Sequence, residues 1–154
     1  MTQRILVPLE GTEFAESVLG EVEELAAGRR AEVVLFRVGQ LPHDVMIESG
    51  RVFYLDEQLS WSESEMLEYL RVLERKLRAR GLRVQSATGF GDPATEILRY
   101  AEENGITMIA MATHARKGLD GIWRGSVARS VYERAAVPVL VKRWSEKEAA
   151  LRAA

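Results

Sequence analysis

The stretch "MATHARKGLDGIWRGSV", residues 111–127, opens as an apolar strand and closes where a helix starts, with a basic, glycine-spotted loop between them. A strand that feeds a helix through a loop is the building unit of an α/β fold. Working outward from it, short apolar runs rich in β-branched residues recur at Ile5–Leu9, Val33–Val38, Val84–Ala87, Met108–Met111 and Val137–Val141. Each has the length of a buried strand rather than of a helix. Between them, Phe14, Val18, Val22 and Leu25 keep the spacing of one helix face, as do Met66, Leu70, Leu73 and Leu77. Ala94, Ile97, Leu98 and Ala101 continue the pattern, followed by Val127, Val131 and Ala135. The resulting order, βαβαβαβαβ, predicts a parallel sheet with right-handed crossovers and helices on both faces. Ligands in such sheets sit at the carboxyl ends of the strands where the strand order reverses. That predicts a site between the first and fourth strands, just after Leu9 and just after Met111.

Local signals set the helix ends. Ser62 and Glu65 form a capping box, Asp92-Pro93 supplies an N-cap with a proline at the first helical position, and Gly81 and Gly105 follow the helices they would end. One segment resists the scheme: Gly39–Ser60, "GQLPHDVMIESGRVFYLDEQLS", exceeds a usual strand-to-helix connection. It is expected to be a lid, a partner surface or a partly mobile loop, docked by Phe53, Tyr54 and Leu55. Residues 1–144 are expected to form one domain, and residues 145–154 a tail that the Ser145–Glu148 capping box could make helical.

The bulk composition narrows the function classes. With 154 residues, 47% hydrophobic and 29% charged, the chain suits one core. Its 21 basic and 23 acidic residues are spread along the chain, so no block is built to follow a nucleic-acid backbone or an anionic bilayer. Absence of cysteine excludes disulfides, thiolate metal sites and cysteine nucleophiles. The start "MTQRILVPLE" lacks the regions of a signal peptide, and no apolar run approaches the length of a membrane span, so a soluble cytoplasmic protein is expected.

Gly125-Ser126 stands where the last helix opens. Free backbone N–H groups and the positive end of the helix dipole make such a place an anion site, and a serine hydroxyl adds a donor. The same serine serves equally as a plain N-cap. Arg116, Lys117 and Arg124 ring that helix start with cations, an arrangement that suits a polyphosphate or a solvated loop. "GFGDPA", Gly89–Ala94, has the form of a dinucleotide fingerprint, but it follows the third strand and the next strand ends without a ribose-binding acid. His114 could carry a proton, yet His43 is the only other histidine and no triad partner is evident. No GxxxxGK[ST] phosphate loop occurs.

Nearly the whole chain resembles the universal stress protein family. "ILVPLEGTEFA" is similar to its opening strand and turn, "GDPATEIL" to the start of its third helix, and "MATHARKGLDGIWRGSVARSVYERAAVPVLV" to its signature region. The resemblance implies a Rossmann-like three-layer sandwich with a five-stranded parallel sheet of order 3-2-1-4-5. It implies a stress-response regulator that binds ATP or AMP, with Mg²⁺ when a triphosphate is bound, and that dimerises through the edge strand at Pro138–Val141. The implied nucleotide-binding residues are Pro8, Leu9, Glu10, Val38, Met111, Ala112, Ala115, Arg116, Gly125, Ser126 and Val127, with no catalytic or metal-binding residue among them. Glu10 stands where the family usually has aspartate and Thr12 where it usually has serine; a carboxylate at that position accepts from ribose hydroxyls. Val38 matches an adenine-contacting position. The edge strand "VPVLV" carries no charged gatekeeper in this reading.

The signature has Gly, two residues, Gly, nine residues, then Gly followed by Ser or Thr, and that spacing falls here on Ala112, Ala115 and Gly125-Ser126. Two glycines have become alanines. Glycine in a phosphate loop permits positive φ and close approach of the ligand, and a methyl obstructs both. Ala112 sits at a strand end where extended geometry tolerates it. Ala115 would cost about 1–2 kcal/mol if its position requires a left-handed conformation, roughly tenfold in affinity. A nucleotide-free dimeric interaction module therefore stays open beside the regulator, as do a slow ATP hydrolase or kinase-like enzyme and a cofactor-binding oxidoreductase. Turnover of a bound nucleotide is expected to fall far below ordinary enzyme rates. The sharpest check of the steric argument is Ala115→Gly, which should tighten adenine-nucleotide binding about tenfold by titration calorimetry; unchanged affinity would refute it.

Overall fold

The computed structural model describes residues 2–41, 52–114, 126–144 and 150. Its strands are β1 (Arg4–Pro8), β2 (Glu32–Gly39), β3 (Arg83–Phe90), β4 (Met108–His114) and β5 (Val139–Trp144). The helices are α1 (Glu13–Glu16), α2 (Leu19–Arg29), α3 (Val52–Ala79), α4 (Pro93–Glu103) and α5 (Ser126–Arg134). All strand pairs are parallel and the order is β3-β2-β1-β4-β5, as the sequence pattern and the family resemblance imply.

β1 is the centre of the sheet. Ile5 lies opposite Val33 on one side and Met108 on the other, and Leu6 lies between Val34 and Ile109. Alternate residues bury on opposite faces. Ile5, Val7, Val33 and Leu35 pack against Val22 and Ala26 of α2 and Leu70, Leu73 and Leu77 of α3. Leu6, Val34, Phe36 and Ile109 pack against Ile97 and Ala101 of α4 and Ala128 and Val131 of α5. A strand covered on both faces has no polar side to show, which is why these runs read as continuously apolar. Among the described residues, no helix is long and apolar enough to cross a membrane.

Asp92 caps α4 as expected, its carboxylate accepting from the Thr95 N–H at 3.0 Å. Four readings need correction. The expected first helix is two: Thr12 caps α1, which ends at Glu16, and α2 starts at Leu19, because the Ser17 N–H turns back to the Phe14 carbonyl at 3.2 Å and interrupts the helical ladder. The capping box at Ser62 and Glu65 is interior to α3, which already runs from Val52; Ser64 donates to the Ser60 carbonyl at 2.9 Å as a mid-helix serine does. The expected lid over Gly39–Ser60 therefore loses its second part to that helix, while residues 42–51 lie outside the described residues. Finally, β5 starts at Val139 rather than Val137 and continues to Trp144, pairing Lys142 with Ala112 and Arg143 with Thr113. The edge strand thus does hold charge. Lys142 is accommodated because its ammonium reaches Glu21 of α2 at 2.7 Å while its stem covers the sheet. The tail, residues 145–154, lies outside the described residues except for residue 150.

Gly81, which ends α3, has φ +87° and open space where a Cβ would stand; Gly28, inside α2, also has open space and no positive φ. Replacing each with alanine should therefore act in opposite directions in urea denaturation. Gly81→Ala is expected to destabilise by about 1–2 kcal/mol and Gly28→Ala to stabilise by about 0.4–1 kcal/mol. Equal effects of one sign would overturn the assignment of the two backbones.

Candidate functional site

β1 stops at Pro8, whose ring removes the N–H that another rung of the ladder would need. The Leu9 N–H still donates to the Phe36 carbonyl at 2.8 Å, and the chain then leaves the sheet. Gly11 makes the turn with φ +85°, a conformation that costs a side-chain-bearing residue strain. Thr12 finishes it: its hydroxyl accepts from the Ala15 N–H at 3.2 Å and donates to Glu10 Oε1 at 3.0 Å. Glu10 is therefore held by the residue that caps α1, and its other carboxylate oxygen remains an acceptor for a donor.

Next to this turn the sheet opens. β1 and β4 are neighbours whose following helices leave toward opposite faces, and at their carboxyl ends lies a cavity of about 300 Å³, near the lower limit of small-molecule sites. Pro8, Leu9 and Glu10 form one side and Met111 and Ala112 of β4 another. Val38 of β2 and Val127 of α5 complete the set of sequence-nominated residues around it. Ser126 opens α5 one residue before Val127. Ala115, Arg116 and Gly125, with Lys117, Asp120 and Arg124, lie outside the described residues.

The cavity also has walls that sequence reasoning missed. Phe36 shares the face of Val38, two residues away on the same strand, a signal that period-two alternation carries. Its ring packs on Tyr100 at 4.6 Å between centroids, tilted by 31°. Phe14 and Ala15 come from α1, Pro93 and Ile97 from α4 and Ala128 from α5. Phe14 belongs to the apolar face that the sequence spacing assigns to the core, and it also meets Trp144 edge-on at 6.4 Å. The chemistry is asymmetric: an apolar slot of a size to hold a flat ring, with one carboxylate at its rim to accept hydrogen bonds.

The universal stress protein family model matches residues 1–143. The universal stress protein YxiE of Bacillus subtilis is 28% identical over 150 residues, covering 93% of this chain and all of that one. The solved structure of MJ0577, a universal stress protein of Methanocaldococcus jannaschii, superposes with TM-score 0.76 at 28% identity, covering 94% of this chain and 98% of that one. Two more distant structures share the fold. One is a universal stress protein in complex with cAMP, at TM-score 0.67 and 17% identity over 94% of this chain and 98% of that one. The other, from Archaeoglobus fulgidus, is in complex with dAMP, at TM-score 0.54 and 23% identity over 92% and 97%.

The fingerprint-like "GFGDPA" is used differently from a dinucleotide loop. A Cβ on Gly89 would stand 3.1 Å from the Phe36 ring and 3.2 Å from Glu96 Oε2, and one on Gly91 3.3 Å from Glu96 Oε1, so these glycines make room for the chain's own side chains. Glu96 is also ion-paired with Arg99. With Asp92 as the cap, the start of α4 already holds two acids, and a pyrophosphate there would meet both. The Thr95 hydroxyl, at 2.7 Å from Asp92 Oδ2, and then the Thr95 N–H hold the Asp92 carboxyl below its ordinary range. A folded-state pKa below the unfolded one adds stability that is present above about pH 4 and is lost on further acidification. Asp92→Ala should accordingly lower the melting temperature at pH 7, with the gap to wild type narrowing below about pH 4. A gap that stays constant down to pH 2 would show that the charge of the cap contributes nothing.

Proposed function

Since the chain belongs to the universal stress protein family, we propose that it is a regulatory protein that binds an adenine nucleotide, ATP or AMP, in the cavity between β1 and β4. One observation carries this: Pro8, Leu9, Glu10, Val38, Met111, Ala112 and Val127, distant in sequence, line a single cavity at the switch point of the sheet. Related structures that hold cAMP and dAMP support adenine nucleotides as the ligand class. In this reading the base lies against Val38 and Met111, and ribose hydroxyls donate to Glu10. The phosphates meet backbone N–H groups of Gly125, Ser126 and Val127 and the Arg116 side chain. Mg²⁺ accompanies a triphosphate and offsets its charge. The ligand acts by occupancy rather than by rapid turnover, in a cytoplasmic homodimer joined along the β5 edge.

A second reading has its own support in Ala112, whose methyl stands in the cavity wall where the nucleotide-binding pattern has glycine. Ala112 lies inside β4 and has no positive φ, so the methyl costs space rather than backbone strain. In that reading the chain is a dimeric interaction module without nucleotide. Calorimetric titration with ATP, ADP and AMP separates the two, together with melting curves in millimolar ATP and Mg²⁺. Weak but measurable heat and a raised melting temperature are expected of the regulator, since a ligand that binds only the folded state stabilises it. No heat and no shift, in a protein that light scattering shows to be a dimer, would favour the module.

A further inference from the structure

Helix α3 turns Met66, Leu70, Leu73 and Leu77 into the core, and its opposite side carries Trp61, Glu65, Glu68, Val72, Lys76 and Ala79. All six are exposed, and two are large apolar residues, Trp61 at 69% and Val72 at 39%. Among the described residues only Leu41 and Tyr132 are comparable, and neither belongs to α3. Single exposed apolar residues are ordinary on a surface. What sets these two apart is the order of the charges between and beyond them.

Glu68 stands four residues before Val72 and Lys76 four after it; Glu65 stands seven before and Ala79 seven after. On this stripe the acids precede Val72 and the base follows it. Glu65 and Glu68 are like charges one turn apart, which costs an isolated helix rather than supports it. Nor are these charges used within the chain: among the described residues Glu65, Glu68 and Lys76 make no ion pair. By contrast, Glu74 and Arg78 of the same helix pair at 2.6 Å, and Arg80, just past its end, pairs with Glu23 at 2.6 Å.

Turned end for end about an axis through Val72, this stripe complements itself. A two-fold interface brings the same patch of two copies together, residue i of one meeting residue j of the other and the reverse. We propose that the outer side of α3 is a docking surface for a second copy of this chain, packed antiparallel about Val72. Val72 then meets its own counterpart, and Glu68 meets the partner's Lys76 on both sides of the axis. Ala79, with only a methyl, leaves room for the partner's Glu65. Trp61 falls at the basic end of the partner's helix, where an aromatic ring can cover a cation. α3 packs over β2 and β3, and β5 is the far edge of the sheet, so this contact is separate from one along β5 and both can be made at once. From Trp61 to Ala79 the stripe is about 27 Å long at about 1.5 Å per residue. One helix pair of that length falls at the low end of interface sizes, so the association is weak and depends on concentration.

The test is sedimentation equilibrium of the full chain from micromolar to millimolar concentration at low salt. Wild type should gain mass with concentration, and the gain should fade as salt is raised, because the charge pairs lie at the surface. Glu68→Lys and Lys76→Glu each turn both facing pairs into like charges, and each should weaken the association about tenfold. A one-to-one mixture of the two variants should restore it, since each copy then faces the opposite charge, and so should the double variant. Neither residue lies in the core or on β5, so a dimer through that edge persists in every variant and cannot imitate this pattern. The chain has no cysteine, so Val72→Cys supplies a thiol on the axis itself. Mild oxidation should link two such copies at least about tenfold faster than it links Glu24→Cys, on the exposed side of α2. Single variants with the mass of wild type at every concentration would overturn the proposal and leave this face to a different partner. So would single variants that weaken association without recovery in the mixture, or Val72→Cys that links no faster than Glu24→Cys.

Discussion

Everything in this molecule is arranged around the double burial of β1. The strand has partners on both edges, β2 and β4, and apolar cover on both faces, so each of Ile5, Leu6 and Val7 is almost wholly removed from water. Such a strand can be completed only if the chain passes to one side of it first and to the other side afterwards. The crossover through α2 serves β2, and the one through α4 serves β4. Connections leaving a strand pair in opposite directions cannot close over its carboxyl end, and the crevice that remains is the cavity. The position of the site is therefore a consequence of topology, and its chemistry is a consequence of which residues happen to end the strands there.

That division explains what could be read in the sequence. Five apolar runs gave the sheet because double burial leaves no room for polar residues, and the Asp92-Pro93 signal located α4 because a cap is a local event. Readings failed where tertiary contacts change the meaning of a residue. Lys142 and Arg143 look like the end of a strand, but an ion pair to Glu21 and continued pairing with β4 carry β5 onward to Trp144. Ser62 and Glu65 match a helix start, yet the same residues fit the exposed side of a longer helix, and sequence spacing cannot tell those cases apart. In the site, Pro8, Glu10 and Val38 were legible through resemblance. Phe36 was not, since a phenylalanine inside a strand reads as core, and it is both core and cavity wall.

The rim of the cavity shows how one turn serves several ends. Gly11 is needed for its positive φ, and a Cβ there would also stand 3.3 Å from the guanidinium of Arg37, the movable end of a long side chain. Thr12 caps α1 and also holds Glu10, so the carboxylate's orientation is tied to helix formation rather than left to a flexible side chain. Loss of the Thr12 hydroxyl would thus loosen a helix end and an acid together, and neither effect could be assigned to the other without separating them by a second substitution.

The cavity and the edge of the sheet are also linked by side-chain contacts. Phe14 lines the cavity and meets Trp144, the last residue of β5, edge-on, while Lys142 of the same strand is paired to Glu21 of α2. Trp144 is nearly buried. Close-packed interiors transmit displacement because they contain little free volume to absorb it. Phe14 thus stands between the cavity and the end of the edge strand, whereas on the β2 side Phe36, another wall of the cavity, packs on Tyr100 within the core. The walls of one cavity are therefore anchored in different parts of the fold, one side in the end of the edge strand through Phe14 and Trp144, the other in α4 through Phe36 and Tyr100, so the same close packing that completes the core also fixes the shape of the crevice.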